Sequence, residues 1–372
     1  MIKIGITGQS GFIGTHLYNF FGLMKEEIER VDFKDEMFSD RKELENFVSE
    51  CDVVIHLAAL NRHNDPGQIY NTNLDLVNRL IASLEASGSR PHILFASSVQ
   101  EDRDNIFGRS KRAGRELLAQ WAEKEGASFS GLIIPNVFGP FGHPYYNSVV
   151  ATFAHQLTHD EEPEIKVDAK LELICINDLV KQIYGIIRNN ITDPGLRIQH
   201  TAEASVSEIL ELLRGFKDLY FNRGIIPDLR DEFQRNMFNT FVCYIDLEKH
   251  FPVHLTKSTD DRGSFVETVK LHSGGQVSFS TTLPGITRGN HFHTRKAERF
   301  AVIKGRARIQ LRRIGTGKVF NFELDGNEPA FVDMPVWYTH NITNTGNDEL
   351  YTLFWINEFF NPGDPDTFYE KV

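Results

Sequence analysis

Cysteine is scarce in this chain: three in 372 residues, at Cys51, Cys175 and Cys243. That scarcity argues against a disulfide scaffold or a cysteine-rich metal site. The apolar neighbours, as in "ELICIND", predict buried thiols in a reducing compartment. Long apolar runs are also missing. None approaches the roughly twenty residues that span a bilayer, and "MIKIGITGQS" enters a strand without a basic leader or cleavage site, so no membrane partner and a cytoplasmic location are expected. The third shortage is positive charge. Forty basic against fifty-one acidic side chains leave a net charge of −11 with no basic patch, which argues against nucleic acid as a partner. No internal repeat or low-complexity segment is visible.

What remains is the composition of a globular protein, 41% apolar and 24% charged, in a chain long enough for two domains. As far as about residue 190, strand-length apolar runs ("KIGIT", "DVVIHLAA", "HILFASS", "FSGLIIPN") alternate with longer amphipathic stretches. This alternation predicts a doubly wound α/β domain with a parallel sheet. Ser205 to about Phe241 reads as helical and is expected to form a small substrate-covering lobe. Beyond "FPVHL" short alternating strands between Gly, Pro, Asn and Asp turns predict an antiparallel jelly-roll barrel. The expected domains are therefore 1–245, with the lobe, and 254–372.

"ITGQSGFIG" places Gly8, Gly11 and Gly14 between the first strand and an apolar helix. Glycines there let the backbone of Phe12 and Ile13 approach a pyrophosphate, whose charge rests on the helix N-terminus. A dinucleotide is the expected ligand. After the second strand, Asp32 would bond the ribose hydroxyls of NAD, while Lys34 leaves NADP open. Leu57, Ala58 and Ala59 end the third strand with side chains small enough to let a cofactor pass.

A second constellation lies in "GNHFHTRKAERF" and "WYTHN". His291 and His293 are two apart on a predicted strand, Glu298 follows, and His340 lies on a strand that a jelly roll can fold back beside the first. Three imidazoles and a carboxylate suit zinc, with nickel, iron or manganese as alternatives.

Together, "TGQSGFIG", "HLAAL", the Ser97-Ser98 pair and the Lys111 helix resemble the extended short-chain dehydrogenase/reductases, a Rossmann-type fold. With "YNSVVATF", "DDRGSF", "GITRGNHFH" and "NPGDPDTFY", the whole chain resembles the two-domain CapF-type capsular polysaccharide enzymes. Those couple such a reductase to a zinc cupin. The resemblance implies a UDP-sugar substrate, homo-oligomers and two steps. The cupin epimerises the carbon beside the ketone of a UDP-4-keto-6-deoxy-N-acetylhexosamine, and the other domain then reduces that ketone with NADPH or NAD. It also implies catalytic roles for Ser98 and Lys111, and substrate contacts by Asn136, Tyr146 and Asn147.

The pattern breaks in "DNIFGRSKRAG", where Phe107 occupies the place of the family's proton-donating tyrosine. A phenyl ring carries no acidic proton. Tyr145, Tyr146, His143 or a water on Lys111 could replace the acid; the domain could bind cofactor without reducing; or the phenylalanine could be an introduced substitution. A second departure is Ile133, where many members carry arginine. In the barrel, "TRGNH" also resembles metal-free epimerases in which the histidine is itself the base. If His291 binds metal, Tyr338, Lys296 and His272 are the candidate bases. Arg262, with Asp261 and Glu267, and Arg288 are candidates for holding the diphosphate.

Overall fold

In the computed structural model, which describes residues 1–372, the four apolar runs of the first half form the inner strands of one six-stranded parallel sheet. Its spatial order is Ile28–Val31, Ile2–Thr7, Val53–His56, His92–Ser98, Phe129–Ile134 and Asp193–Arg197. The second strand lies on one side of the first and the third on the other, so the order reverses there. In open α/β sheets that reversal leaves a crevice at the strands' carboxyl ends. The glycine loop leaves one flanking strand and Leu57–Ala59 leave the other.

Parallel strands are covered on both faces, which explains why Val53–His56 is buried at every position. The helices Arg41–Glu50, Pro66–Ser87 and Ile106–Glu125 supply one covering layer, with Phe47, Val77, Leu80, Leu118 and Trp121 meeting Val54 and Phe95 in a single core. Local chemistry starts each helix. Asp40 accepts from the amides of Lys42 and Glu43, Asp65 from that of Gly67 after Pro66, and Asn105 from that of Gly108.

The carboxy-terminal strands form two antiparallel five-stranded sheets. One is ordered Val253–His254, Ala330–Met334, Glu298–Lys304, Leu350–Ile356 and Gln276–Thr282. The other is ordered Val319–Asp325, Arg306–Arg313, Tyr338–Asn344, Thr287–Phe292 and Phe368–Tyr369. Their inner faces share a core of Val302, Ile309, Leu311, Val332 and Ile342, the jelly-roll arrangement expected from the alternating pattern. "ERFAVIKGRARIQLRR" is two strands, with Gly305 at φ 87 turning the chain between them.

The compact units divide the chain differently from the expected boundary. One comprises 1–138, 145–148 and 170–204; the other comprises 139–144, 149–169 and 205–372. The helical lobe, expected to belong to the α/β domain, is part of the barrel's unit. The reason lies in its packing: the Tyr220 hydroxyl donates to Asp333 at 2.6 Å, Asn239 donates to the Arg295 carbonyl at 3.0 Å, and Arg299 donates to the Gly224 carbonyl at 2.8 Å. No helix is long and apolar enough to cross a membrane.

Candidate functional site

The bend after Thr7 depends on its glycines. Gly8 adopts φ +72, and a Cβ there would lie 2.8 Å from the Ala58 nitrogen. A Cβ on Gly14 would lie 2.4 Å from the Gly8 carbonyl oxygen. Gly11 begins the helix Phe12–Phe21, whose first turn holds no acidic side chain, so the helix's own first turn puts no carboxylate at the positive end of its dipole. Phe12 and Ile13, in that first turn, are half-buried. Leu57, Ala58 and Ala59 are also half-buried, and Asn73 holds the segment by accepting from the Leu60 amide at 2.7 Å. Asp32 and Lys34 both stand exposed just beyond Val31.

Ser98 ends its strand and accepts from the Gln100 amide at 3.2 Å. The turn that follows lies so close to the helix Ile106–Glu125 that a Cβ on Gly108 would come within 2.0 Å of the Gln100 oxygen. Glycine at 108 therefore lets the serine turn and the helix meet. One helical turn after Phe107, Lys111 is 5% exposed, its ammonium 4.6 Å from the Phe95 ring centre, and burial pushes its pKa down to about 8. Phe107 is half-buried and has no proton to give. Ile133 is buried in its strand, a core position where a guanidinium would lack solvent. Sequence reasoning passed over His56. Its Nδ1 lies 2.7 Å from the Thr7 hydroxyl, its Nε2 has no partner, and burial, with Lys111 nearby, holds its pKa at about 3.

The expected substrate contacts fall in both compact units. Asn136 donates to the Glu172 carbonyl at 3.0 Å. Asn147 accepts from Arg62 at 2.8 Å, and Tyr146 is exposed. Arg262 is exposed and pairs with Asp260 two residues away in its own hairpin. Arg288 stands exposed on the strand that carries His291.

The histidine set does converge. Paired antiparallel strands place His291 directly opposite His340, while Glu298 reaches in from the facing sheet. Its Oε2 is 3.1 Å from His340 Nε2, 3.3 Å from His293 Nε2 and 4.0 Å from His291 Nε2. One ligand atom from each of the four residues lies within 4.8 Å of all the others. His293 Nδ1 donates to the Asp366 carbonyl and His340 Nδ1 to that of Tyr338, which leaves both Nε2 atoms as lone-pair acceptors. Those two nitrogens and Glu298 Oε2 are buried without hydrogen-bond partners. Acceptors facing one another in a dry interior are costly unless a cation lies among them, so the donor set fits a divalent metal. Burial opposes ionisation of Glu298, and its carboxyl falls below the usual range only with positive charge at its side, carried by protons on His293 and His340 or by a cation in their place.

Of the candidate bases, Tyr338 is a core residue whose pKa burial raises, Lys296 is 1% exposed and donates to the Pro365 carbonyl, and His272 is exposed. Asp366 was not singled out from the sequence. An aspartate amid "NPGDPDTFY" gives no local sign of the contacts it makes.

Residues 4–197 match the NAD dependent epimerase/dehydratase family, and residues 258–368 match a polysaccharide biosynthesis C-terminal domain. A UDP-2-acetamido-2,6-beta-L-arabino-hexul-4-ose reductase of Pseudomonas aeruginosa is 33% identical, over 99% of this chain and 98% of that protein. The crystal structure of the capsular polysaccharide assembling protein CapF from Staphylococcus aureus superposes with a TM-score of 0.63 at 32% identity, covering 99% of this chain and 100% of that one. A Pseudomonas aeruginosa protein, RMD, complexed with NADPH shares the fold at 20% identity and TM-score 0.52, over 59% of this chain and 82% of that one.

Proposed function

The chain belongs to the NAD-dependent epimerase/dehydratase family and, over its full length, to the CapF-type proteins of capsular polysaccharide synthesis; from that premise we propose that it converts a UDP-linked 4-keto-6-deoxy-N-acetylhexosamine in two steps. The barrel epimerises the carbon beside the ketone. The α/β domain then reduces the ketone with NADPH or NADH. The observation that carries the reading is the convergence of three imidazoles and one carboxylate, with three orphaned ligand atoms, on a chain that also holds a glycine bend at a sheet's switch point.

His291, His293, Glu298 and His340 would hold the cation. When bound, a divalent metal polarises a carbonyl and makes the adjacent C–H more acidic. Epimerisation then needs a proton to leave one face of that carbon and return to the other. With Lys296 engaged by the tail, a group on the substrate side of the barrel must move it. In the other domain, Gly8, Gly11 and Gly14 admit the pyrophosphate, and Lys111 would orient the nicotinamide ribose. Hydride goes to the carbonyl carbon while a proton goes to its oxygen, the transfer for which Phe107 supplies nothing.

A second reading is favoured by Phe107 alone: the barrel epimerises, and the α/β domain binds nucleotide without reducing. Incubation with the keto sugar and reduced cofactor in deuterated water separates the two. Deuterium uptake with cofactor oxidation supports the two-step reading. Uptake without oxidation supports the second. Neither uptake nor oxidation refutes both.

A further inference from the structure

The carboxy-terminal segment has no part in the chemistry just described, yet its contacts converge on the loop between two of the four metal-site residues. Asp366 is 4% exposed and sits at φ 42. Its Oδ1 accepts from the Thr294 hydroxyl at 2.6 Å, and its two oxygens accept from the Thr294 amide at 3.1 and 3.2 Å. Its Oδ2 also accepts from the amides of Arg295 at 3.0 Å and Lys296 at 3.2 Å. The backbone carbonyl of Asp366 takes the Nδ1 proton of His293. Lys296 Nζ fastens the preceding residue by donating to the Pro365 carbonyl at 2.8 Å. Beyond it, Phe368 and Tyr369 pair with Phe292 and His291 as an added edge strand.

Residues 294–297 join His293, at the end of one sheet, to Glu298, at the start of a strand in the other. The spacing of these two side chains therefore depends on how that loop is held. Three consecutive amides and a hydroxyl aimed at one buried carboxylate hold it in a single arrangement. The same residue fixes the ring orientation of His293. We infer that Asp366 is a positioning residue for the metal site, so that the last residues of the chain and the cation bind the barrel cooperatively. The inference rests on the proposed metal reading.

The test uses the full-length protein stripped by chelator and titrated with zinc against a chromophoric competitor, alongside its Asp366→Asn and Thr294→Val variants. Replacing one carboxylate oxygen by an amide donor turns an acceptor against N–H groups. Asp366→Asn is expected to weaken zinc about 10–100-fold, the range typical of outer-shell partners. Thr294→Val, which removes one of the donors, should weaken it less. Cobalt substituted for zinc reports the ligand geometry directly: its visible bands should shift in Asp366→Asn. A purely structural tail would instead lower the melting temperature of the stripped protein while leaving zinc affinity and cobalt spectrum as in the parent, and that result overturns the inference. If Asp366→Asn does not fold, Thr294→Val and Lys296→Met decide, since parental affinity in both overturns it equally. A parent protein that takes up no zinc or cobalt removes the metal reading, and the inference with it.

Discussion

Glu298 Oε2 and His340 Nε2 lie 3.1 Å apart although their strands belong to opposite sheets of the barrel. Neither atom has a hydrogen-bond partner. A buried carboxylate and a lone-pair nitrogen this close form a socket for positive charge.

His293→Ala should empty that socket. The expected result is loss of bound metal, measured by elemental analysis, and a fall of at least about a hundred-fold in solvent deuterium exchange into the keto sugar. Nucleotide binding should be unaffected. Exchange at the parental rate would show that the imidazole cluster is not the epimerising site.

Phe107→Tyr restores a proton donor one helical turn before Lys111. If no other group serves, ketone reduction followed at the cofactor's absorbance should rise by tens-fold or more, within the roughly 10²–10⁴-fold range of general acid catalysis. An unchanged rate, with reduction already measurable in the parent, points to a substitute acid.

Lys111 sets a pH dependence. Burial depresses its pKa from 10.5 to about 8, so between those values the unfolded chain binds more protons than the fold, and stability from this group rises with pH. Its cost is fully present below about pH 8. Lys111→Met should therefore raise the unfolding free energy at pH 7 by roughly 3 kcal/mol, with a smaller gain near pH 10. Denaturant titrations at the two pH values check both magnitude and sign. Bound nucleotide phosphates would favour the ammonium and shrink the gain.

Arg299 and Asp333 are buried and joined by two hydrogen bonds of 2.7 and 2.9 Å, with the Tyr220 hydroxyl donating to the same carboxylate. Asp333→Ala leaves a buried guanidinium without its counter-charge and should cost about 3–5 kcal/mol. Tyr220→Phe removes one hydrogen bond to a charged group and should cost about 1.5–3 kcal/mol. Thermal unfolding of the two variants should rank them in that order.

Gly14→Ala places a Cβ 2.4 Å from the Gly8 carbonyl oxygen, a backbone atom that cannot swing aside. Dinucleotide binding, measured by calorimetry, should fall, while zinc uptake by the barrel should match that of the parent.

Several features were legible in order of residues alone because their causes are local. The glycine bend, the alternating strands and the two-residue spacing of His291 and His293 follow from backbone geometry over a few positions. The break at Phe107 was equally plain, because a phenyl ring has no acidic proton in any fold. Where the boundary falls was not legible: the lobe reads as a helical neighbour of the α/β domain until Tyr220 and Asn239 are seen bonded to Asp333 and Arg295 of the barrel.

The sequence by itself determined the kinds of element, the donor types and the missing acid, since these depend on side-chain chemistry and short periodicities. Tertiary structure alone decided that Glu298 meets His340 across two sheets, that Lys296 is occupied by the tail, and that Asp366 grips the loop beside His293. Those meetings join positions from 42 to 73 residues apart. Such contacts depend on which strands pair and which faces turn inward, a choice made by burial of the whole core rather than by any one stretch of chain.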